Sequence, residues 1–184
     1  MPNIYVALLH YPVMNKNGDV ITSAITNLDL HDISRAAKTY GVKGFYVVTR
    51  LADQIVLAKR IIGHWTHGTG ADYNPARRSA LELIRIEESL ADVIQHIAGQ
   101  ENVQPKTVAT CARKFDDAIS YDKMRGLMSN GKPHLLVLGT AWGLAEEMIR
   151  QADYILEPIA GQTAYNHLSV RSAASIILDR LIGR

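Results

Sequence analysis

Two short segments combine glycine or proline with polar side chains in a way that could hold a ligand. The first, LGTAWGL at 138–144, places Gly139 and Gly143 around Thr140 and Trp142. Glycine lets a ligand approach the backbone and exposes its amides. The segment is therefore interpreted either as a backbone-lined binding loop or as a tight strand-to-helix turn.

The second segment, LEPIAGQTAYNHLSV at 156–170, leads into the last helical pattern of the chain. Pro158 ends an apolar run, and Gly161 permits a sharp turn. Asn166 and Ser169 stand just before a helix, whose first amides are unpaired and attract polar or anionic atoms. These side chains could cap the helix, line a ligand site, or do both.

A third segment, TNLDLHDISR at 26–35, carries a polar ridge on a helical pattern. His31 and Arg35 are four residues apart and share a helix face, and Asp32 precedes Arg35 by three. Such a ridge is either a solvated surface or part of a site.

A fourth segment, GHWTHGTGADYNPARR at 63–78, begins with residues 63–74, which are rich in glycine, histidine and aromatic residues and are predicted to be a loop. Aromatic rings stack on bases and guanidinium groups bind phosphates. We interpret the segment as an RNA contact, with a plain surface excursion as the alternative. Its candidate substrate-binding residues are Trp65, His67, Tyr73, Arg77 and Arg78.

Several classes of protein lose support from what the sequence lacks. It has no G-x-G-x-x-G fingerprint and no P-loop lysine motif. Cys111 is the only cysteine, and His64 and His67 have no further convincing metal ligand, so no metal is expected. The net charge of +2 neither demands nor excludes nucleic acid. The first apolar run is too short to span a membrane, and we expect a cytoplasmic protein.

Alternating strand and helix patterns must position these segments. Apolar runs predict strands at 4–9, 44–49, 106–112, 134–139 and 154–158. Helical periodicity predicts helices at 29–42, 51–65, 75–99, 120–131, 144–152 and 170–181. Asp29 is a plausible first cap, Gly41 a stop, and Pro75 a first-turn residue.

This alternation predicts an α/β fold with a mostly parallel sheet and helices on both faces. The whole chain, 1–184, is expected to be one domain with a loop-plus-helix excursion at about 63–100. Ligands of such sheets bind beyond the carboxyl ends of the strands, where the first three segments fall.

Taken together, these segments resemble the SPOUT superfamily of RNA methyltransferases that use S-adenosyl-L-methionine (AdoMet), over nearly the whole chain. TNLDLHDISRAAKTYGV is similar to the first SpoU-type motif, an Asn-containing turn followed by R-T-A-x-x-F-G-V. LLVLGTAWGL is similar to the second, an apolar strand followed by G-x-E-x-x-G-L. LEPIAG and HLSVRSAASIILDRL are similar to the third, I-P-M and then L-N-V-S-x-A-A-A-I-L-L. The small bacterial family described as SAM-dependent RNA methyltransferases is the most similar group.

The resemblance implies a C-terminal trefoil knot, a homodimer, an RNA substrate (tRNA or rRNA) and AdoMet as cofactor. It implies that Arg35, on the motif arginine, orients or activates the acceptor; His10 and His31 are further candidates. The implied cofactor residues are Leu138, Gly139, Thr140, Trp142, Gly143, Leu144, Leu156, Glu157, Pro158, Ile159, Gly161, Asn166, His167, Leu168, Ser169 and Val170.

The chain departs from the family motifs at a few positions. Asp29 stands where the first motif has Asn, and Trp142 lies near the usual Glu. Ser169 takes the Asn position of the third motif, and Arg171 takes its Ser position. Three functions therefore stay open: an RNA methyltransferase, an AdoMet-binding protein without catalysis, and a methyltransferase that acts on protein or small molecules.

Overall fold

A computed structural model describes residues 3–183, built around a six-stranded parallel sheet in the order β5-β4-β1-β7-β6-β8. The strands are β1 (Ile4–Leu9), β2 (Val13–Met14), β3 (Val20–Ile21), β4 (Gly44–Val48), β5 (Ile84–Glu87), β6 (Lys106–Ala109), β7 (His134–Gly139) and β8 (Tyr154–Ile155). The helices are α1 (Asn27–Thr39), α2 (Ala52–Thr66), α3 (Thr69–Tyr73), α4 (Pro75–Leu81), α5 (Leu90–Glu101), α6 (Tyr121–Met128), α7 (Glu146–Gln151) and α8 (Val170–Ile182).

The two central strands are β1 and β7, which pair in parallel from Ile4↔His134 to Leu9↔Gly139. Every residue of β1 is buried. An unbroken apolar run of this kind is what a strand covered on both faces requires. The register places Leu9 and Gly139 side by side at the carboxyl edge of the sheet, where the predicted binding loops begin.

Helices cover both faces of the sheet, as the sequence predicts. On one face, apolar residues of α1, α2, α4, α6 and α8 pack against alternate strand residues such as Val6 and Leu136. On the other face, α5 and α7 pack against their neighbours, such as Ala7 and Leu135. The α/β class is confirmed, whereas the trefoil knot and the single-domain assignment stay predictions.

A two-stranded antiparallel ribbon, β2 and β3, lies outside the main sheet. Its turn is held by Asn15, whose side-chain oxygen accepts hydrogen bonds from the amides of Asn17 at 2.8 Å and Asp19 at 3.0 Å. An Asn-Gly pair, here Asn17 and Gly18, is typical of such a turn. Met14 at its start donates to the Gly143 carbonyl at 2.9 Å, so the ribbon is tied to a predicted binding loop.

The prediction of one continuous helix over 75–99 is wrong. Helix α4 ends at Leu81, β5 follows, and α5 begins after its cap Ser89. The segment forms a strand because it makes backbone hydrogen bonds with β4 and the residue after it. The Phe45 amide donates to the Leu83 carbonyl and the Thr49 amide donates to the Glu87 carbonyl, both at 3.0 Å. The segment adds an edge strand to the main sheet.

The region predicted as a loop at 63–74 is also largely helical. Helix α2 continues to Thr66, and α3 spans Thr69–Tyr73. The close packing of Gly70 allows this, since a Cβ atom built there would lie 2.8 Å from the Trp65 ring. Pro75 opens α4 as predicted, with Asn74 as its cap.

The first helix is capped differently from the prediction. Thr26, not Asp29, is the N-cap, and its hydroxyl accepts from the Asp29 amide at 3.1 Å. The Thr26 hydroxyl in turn donates to the Asp29 carboxylate at 2.6 Å. This reciprocal arrangement satisfies a first-turn amide and fixes the orientation of a carboxylate that is only 5% exposed.

Across residues 3–183, none of the helices combines the length and the apolar character that crossing a membrane requires.

Candidate functional site

The loop at 139–144 leaves the centre of the sheet and is held by several hydrogen bonds. The Thr140 hydroxyl donates to the Leu9 carbonyl at 2.9 Å. The Trp142 amide donates to Met14 at 3.0 Å, and the Gly143 amide to Thr140 at 2.9 Å. Ribbon and strand together fix the path of this loop.

The two glycines of this loop have different roles. A Cβ atom at Gly139 would lie 2.6 Å from the Leu144 amide nitrogen, so the loop closes tightly on itself there. Gly143 has φ of +102° and open space on its side-chain face. A positive φ of this size suits glycine, and the open space leaves the backbone accessible to a ligand.

The loops that follow β6 and β8 lie beside the loop that follows β7, because β6 pairs with both strands. The Ile119 amide donates to Ile155 at 2.8 Å, and the Glu157 amide donates to Ile119 at 2.9 Å. The Asn166 side-chain amide donates to the Ala112 carbonyl at 2.8 Å. The loop at 110–119 is therefore part of this surface.

Sequence reasoning missed the loop at 110–119. Its residues, TCARKFDDAI, contain neither glycine nor proline, so they give no turn signal. The rule that ligands bind at the carboxyl ends of strands applies to β6 as well and could have identified it.

The start of α8 borders the same surface. Ser169 is the N-cap and accepts from the Ser172 amide at 3.2 Å, which confirms it as a capping residue. Two residues further, the Arg171 guanidinium reaches α1, with 3.4 Å between its Nη1 and Asp29 Oδ1 and 3.4 Å between its Nε and Asp32 Oδ2. This contact joins the first and third motif segments.

A buried chain of hydrogen bonds connects His10 to the loop at 139–144. His10 Nδ1 lies 2.9 Å from the Ser23 hydroxyl, which lies 2.5 Å from the Thr140 hydroxyl. Since Thr140 donates onward to Leu9, the direction of donation runs from His10 Nδ1–H through Ser23 to Thr140. His10 Nε2 is then left as an acceptor, and it has no partner among the described residues.

Burial lowers the pKa of His10 to about 4, against a smaller opposing effect of the Asp29 charge. The imidazole is therefore neutral at physiological pH. A neutral, fully buried His10 supports the loop of Thr140 and does not contact solvent.

Arg35 does not lie on the loops at the carboxyl edge. It is exposed on α1 and lines a cleft opposite Arg77 of α4. Sequence reasoning gave these two residues separate roles, whereas the structure brings them together.

The other predicted substrate-binding residues are not among those that line this cleft. Trp65 is half-buried, and its indole lies under the Arg77 guanidinium at 4.5 Å from the ring centroid. Tyr73 is 87% exposed, Arg78 pairs with Glu82 at 2.9 Å, and His67 bonds to Thr66. Their contact with a substrate stays a prediction.

The predicted cofactor residues differ in what they could offer a ligand. Leu138, Leu144 and Leu156 are buried and could offer only their backbone. Half-buried are Gly139, Thr140, Gly143, Glu157, Pro158, Ile159, Asn166 and Val170; exposed are Trp142, Gly161, His167, Leu168 and Ser169. Their contact with AdoMet also stays a prediction.

Comparison with known proteins identifies the class to which this fold and surface belong. A family described as SAM-dependent RNA methyltransferases matches residues 3–183. The chain belongs to this family, whose cofactor is AdoMet.

Relatives carry a similar sequence within proteins of two different lengths. A tRNA (guanine-N(1)-)-methyltransferase of Oleidesulfovibrio alaskensis is 43% identical over 185 residues, which cover 98% of this chain but 42% of that protein. A protein of Aquifex aeolicus is 38% identical over 183 residues, 99% of this chain and 89% of that protein. The chain thus spans less than half the length of the tRNA methyltransferase relative and most of the other.

Solved structures share the fold at low sequence identity. A putative methylase of Neisseria gonorrhoeae superposes with a TM-score of 0.65 at 16% identity, over 100% of this chain and 83% of that one. The SpoU methyltransferase AviRb from Streptomyces viridochromogenes, in complex with AdoMet, gives 0.59 at 17% identity over 99% and 58%. The resemblance to SpoU-type methyltransferases is confirmed at the level of fold.

Proposed function

We propose that this chain binds AdoMet with the loops at 139–144, 156–161 and 166–170 and transfers its methyl group to a nucleotide of RNA. The observation that carries the proposal is the joining of the three motif segments at one edge of the sheet. β7 and β8 flank β6 there, and Arg171 links the start of α8 to α1.

The loops fit a cofactor that is held mainly through backbone groups. Side-chain faces of Gly143 and Gly161 are open, with no atom within 4 Å of a Cβ built at either position. The Glu157 carboxylate is half-buried at the same edge and accepts from the Tyr121 amide at 3.0 Å. A carboxylate in this position suits a ligand that carries a sulfonium cation.

AdoMet supplies a methyl group on sulfur that is displaced directly by an acceptor atom, so no metal is required. The protein must align the acceptor, exclude water and ease the loss of the acceptor proton. We assign to Arg35 the role of orienting or activating the acceptor, as the resemblance implies. His10 and Ser23 act at a distance, because their hydrogen bonds hold Thr140 and with it the conformation of the cofactor loop.

The RNA that we propose is tRNA. Support comes from the two relatives named as tRNA (guanine-N(1)-)-methyltransferases, each 43% identical to this chain. More than half of each of those proteins lies outside the match, so guanine N1 is not carried over as the acceptor atom.

We further propose a cytoplasmic homodimer. The cytoplasm is where tRNA is modified in bacteria, and the dimer follows from the resemblance. On α8, Leu178 is buried in this chain's own core and is not available to a partner. Ile176 is half-buried and is the residue left to meet a partner.

The test is methyl transfer from tritiated AdoMet to RNA isolated from cells that lack this protein. Incorporation is expected with that RNA and not with RNA from the parent cells, whose sites are already methylated. Incorporation into protein alone would contradict the proposal. AdoMet binding without incorporation into any RNA would contradict the catalytic part.

A further inference from the structure

A cleft of about 370 Å³ lies between α1 and α4, and every charged residue that lines it is a cation. Arg35 and Lys38 form the α1 wall, and Arg77 lies on the α4 wall. The rest of the lining is small or polar: Thr39, Asn74, Ala76, Ser79 and Ala80. A concave surface lined by one sign of charge attracts ions of the opposite sign.

The cleft cations are not neutralised within the part of the chain that the structure describes. No carboxylate of residues 3–183 forms an ion pair with Arg35, Lys38 or Arg77. The next residue along α4 behaves differently, since Arg78 pairs with Glu82 at 2.9 Å. The charge of the cleft is thus left for a ligand.

The guanidinium of Arg77 is held in place before any ligand arrives. It stacks on the Trp65 indole, which is itself fixed by edge contacts with His31 at 5.4 Å and His64 at 5.1 Å. A guanidinium that packs on an aromatic ring by its face keeps the N–H donors at its edge available for hydrogen bonds in one plane. Arg77 Nε is buried and has no hydrogen-bond partner among residues 3–183, and leaving a buried donor unpaired is costly.

The pKa of His31, on α1, is affected by the charges of both arginines. Burial lowers the pKa of His31, and the charges of Arg77 and Arg35 lower it further, against the effect of Asp32. The two guanidinium groups therefore act on the same small region although they belong to different helices.

We propose that this cleft binds one backbone phosphate of the RNA, with Arg35 and Arg77 contacting it from opposite walls and Lys38 adding charge. This inference rests on the proposed function and gives Arg35 its means of orienting the acceptor. Both α1 cations are exposed, so the cleft is open enough to hold a phosphate that continues into a chain on both sides. A planar guanidinium pair matches the oxygens of a phosphodiester.

The cleft is well placed for this role. Asp32, on the turn of α1 that precedes Arg35, contacts Arg171 at the start of α8 at 3.4 Å. The helix that carries Arg35 and Lys38 is therefore joined to the start of α8, which borders the cofactor loops.

The experiment is a double-mutant cycle on RNA affinity. Binding of bulk bacterial tRNA is measured at several salt concentrations for the parent, Arg35→Gln, Arg77→Gln and the double variant. Each single change should weaken binding by about tenfold. It should also reduce the slope of log affinity against log salt concentration by about one, the value for one phosphate contact. If the two arginines contact separate phosphates, their effects multiply and the double variant should bind RNA about a hundredfold more weakly than the parent. If they share one phosphate, the loss of affinity in the double variant should be much smaller than that.

Two further variants make the result decisive. Lys38→Gln, at an exposed cleft position, should also weaken binding, whereas Lys132→Gln, an exposed lysine before β7 at the opposite edge of the sheet, should not. Inorganic phosphate should compete with tRNA for the parent but not for the double variant.

The outcomes separate this inference from the proposed function. If the parent methylates RNA but the cleft variants bind RNA as tightly as the parent does, the inference about the cleft is wrong and the proposed function stands. Multiplicative effects of Arg35→Gln and Arg77→Gln would overturn the shared phosphate. If the parent binds neither tRNA nor rRNA, both proposals fail.

Discussion

Asp29 in the first turn of α1 and Arg171 in the first turn of α8 form an ion pair, with 3.4 Å between Oδ1 and Nη1. Both residues are departures from the SpoU-type motifs: the family has Asn at the first position and Ser at the second. The structure shows that the two departures contact each other. The charged pair keeps α1 joined to α8 beside the site.

The first prediction concerns this pair. Arg171→Ser should lower the free energy of unfolding by about 1–3 kcal/mol, because it leaves the buried Asp29 carboxylate without its cation. Adding Asp29→Asn, which restores both family residues, should recover part of the loss. Urea unfolding of the parent, both single variants and the double variant gives the coupling energy.

Additive losses in that cycle would mean that the two residues do not depend on each other. AdoMet affinity, measured on the same four proteins, should follow the same order, since the start of α8 borders the cofactor loops.

The second prediction concerns Gly161. Gly161→Val places a side chain in open space, so folding should be unaffected while AdoMet binding weakens at least about tenfold. Gly143→Val is less informative, because φ of +102° strains any side chain there whether or not a cofactor binds. Calorimetric titration with AdoMet and a thermal melt of each variant provide the two readouts.

Gly99→Val is the matched control, since it adds the same volume at an exposed position of α5. Equal AdoMet affinity in the two valine variants would remove the loop at 156–161 from the cofactor site.

The third prediction concerns pH. Burial lowers the pKa of His10 from 6.5 to about 4, so between these values the unfolded state binds a proton that the folded state does not. Stability is therefore complete above pH 6.5 and should fall as the pH drops towards 4, by up to about 3 kcal/mol from this residue. The pKa values of His31 and His134 are also lowered by burial and act in the same direction.

Urea unfolding at pH 7 and pH 5 tests this prediction. His10→Gln should make the difference between the two pH values smaller, while His167→Gln, at an exposed position, should leave it unchanged. The same pH difference in the His10→Gln protein and the parent would show that His10 is not the source.

The fourth prediction concerns assembly. We expect a dimer in sedimentation at micromolar concentration and a monomer for Ile176→Glu, since a charge at a half-buried apolar contact is costly. Val103→Glu, at an exposed position after α5, is the control. A monomeric parent protein would contradict the homodimer.

Local patterns predicted most of the fold because they report burial directly. The run at Ile4–Leu9 is apolar throughout and forms a central strand with both faces covered. IRIE at 84–87 was mistaken for helix because Ile84 and Ile86 lie within a helical pattern, and only pairing with β4 makes the segment a strand. Pairing between distant segments is invisible to a local pattern.

The site was predicted only in part for the same reason. Glycine and proline marked the loops after β7 and β8, but the loop at 110–119 has neither. The pairing of Asp29 with Arg171 joins positions 142 residues apart, and the cleft joins Arg35 to a different helix. These relationships come from packing and could not be read from spacing.

The most direct test of the central proposal is mass spectrometry of nucleosides from the RNA of cells that lack this protein. We predict that one methylated nucleoside is lost, returns when the parent chain is supplied, and does not return with Gly161→Val. An unchanged set of methylated nucleosides in the cells without the protein would contradict the proposal that it methylates RNA.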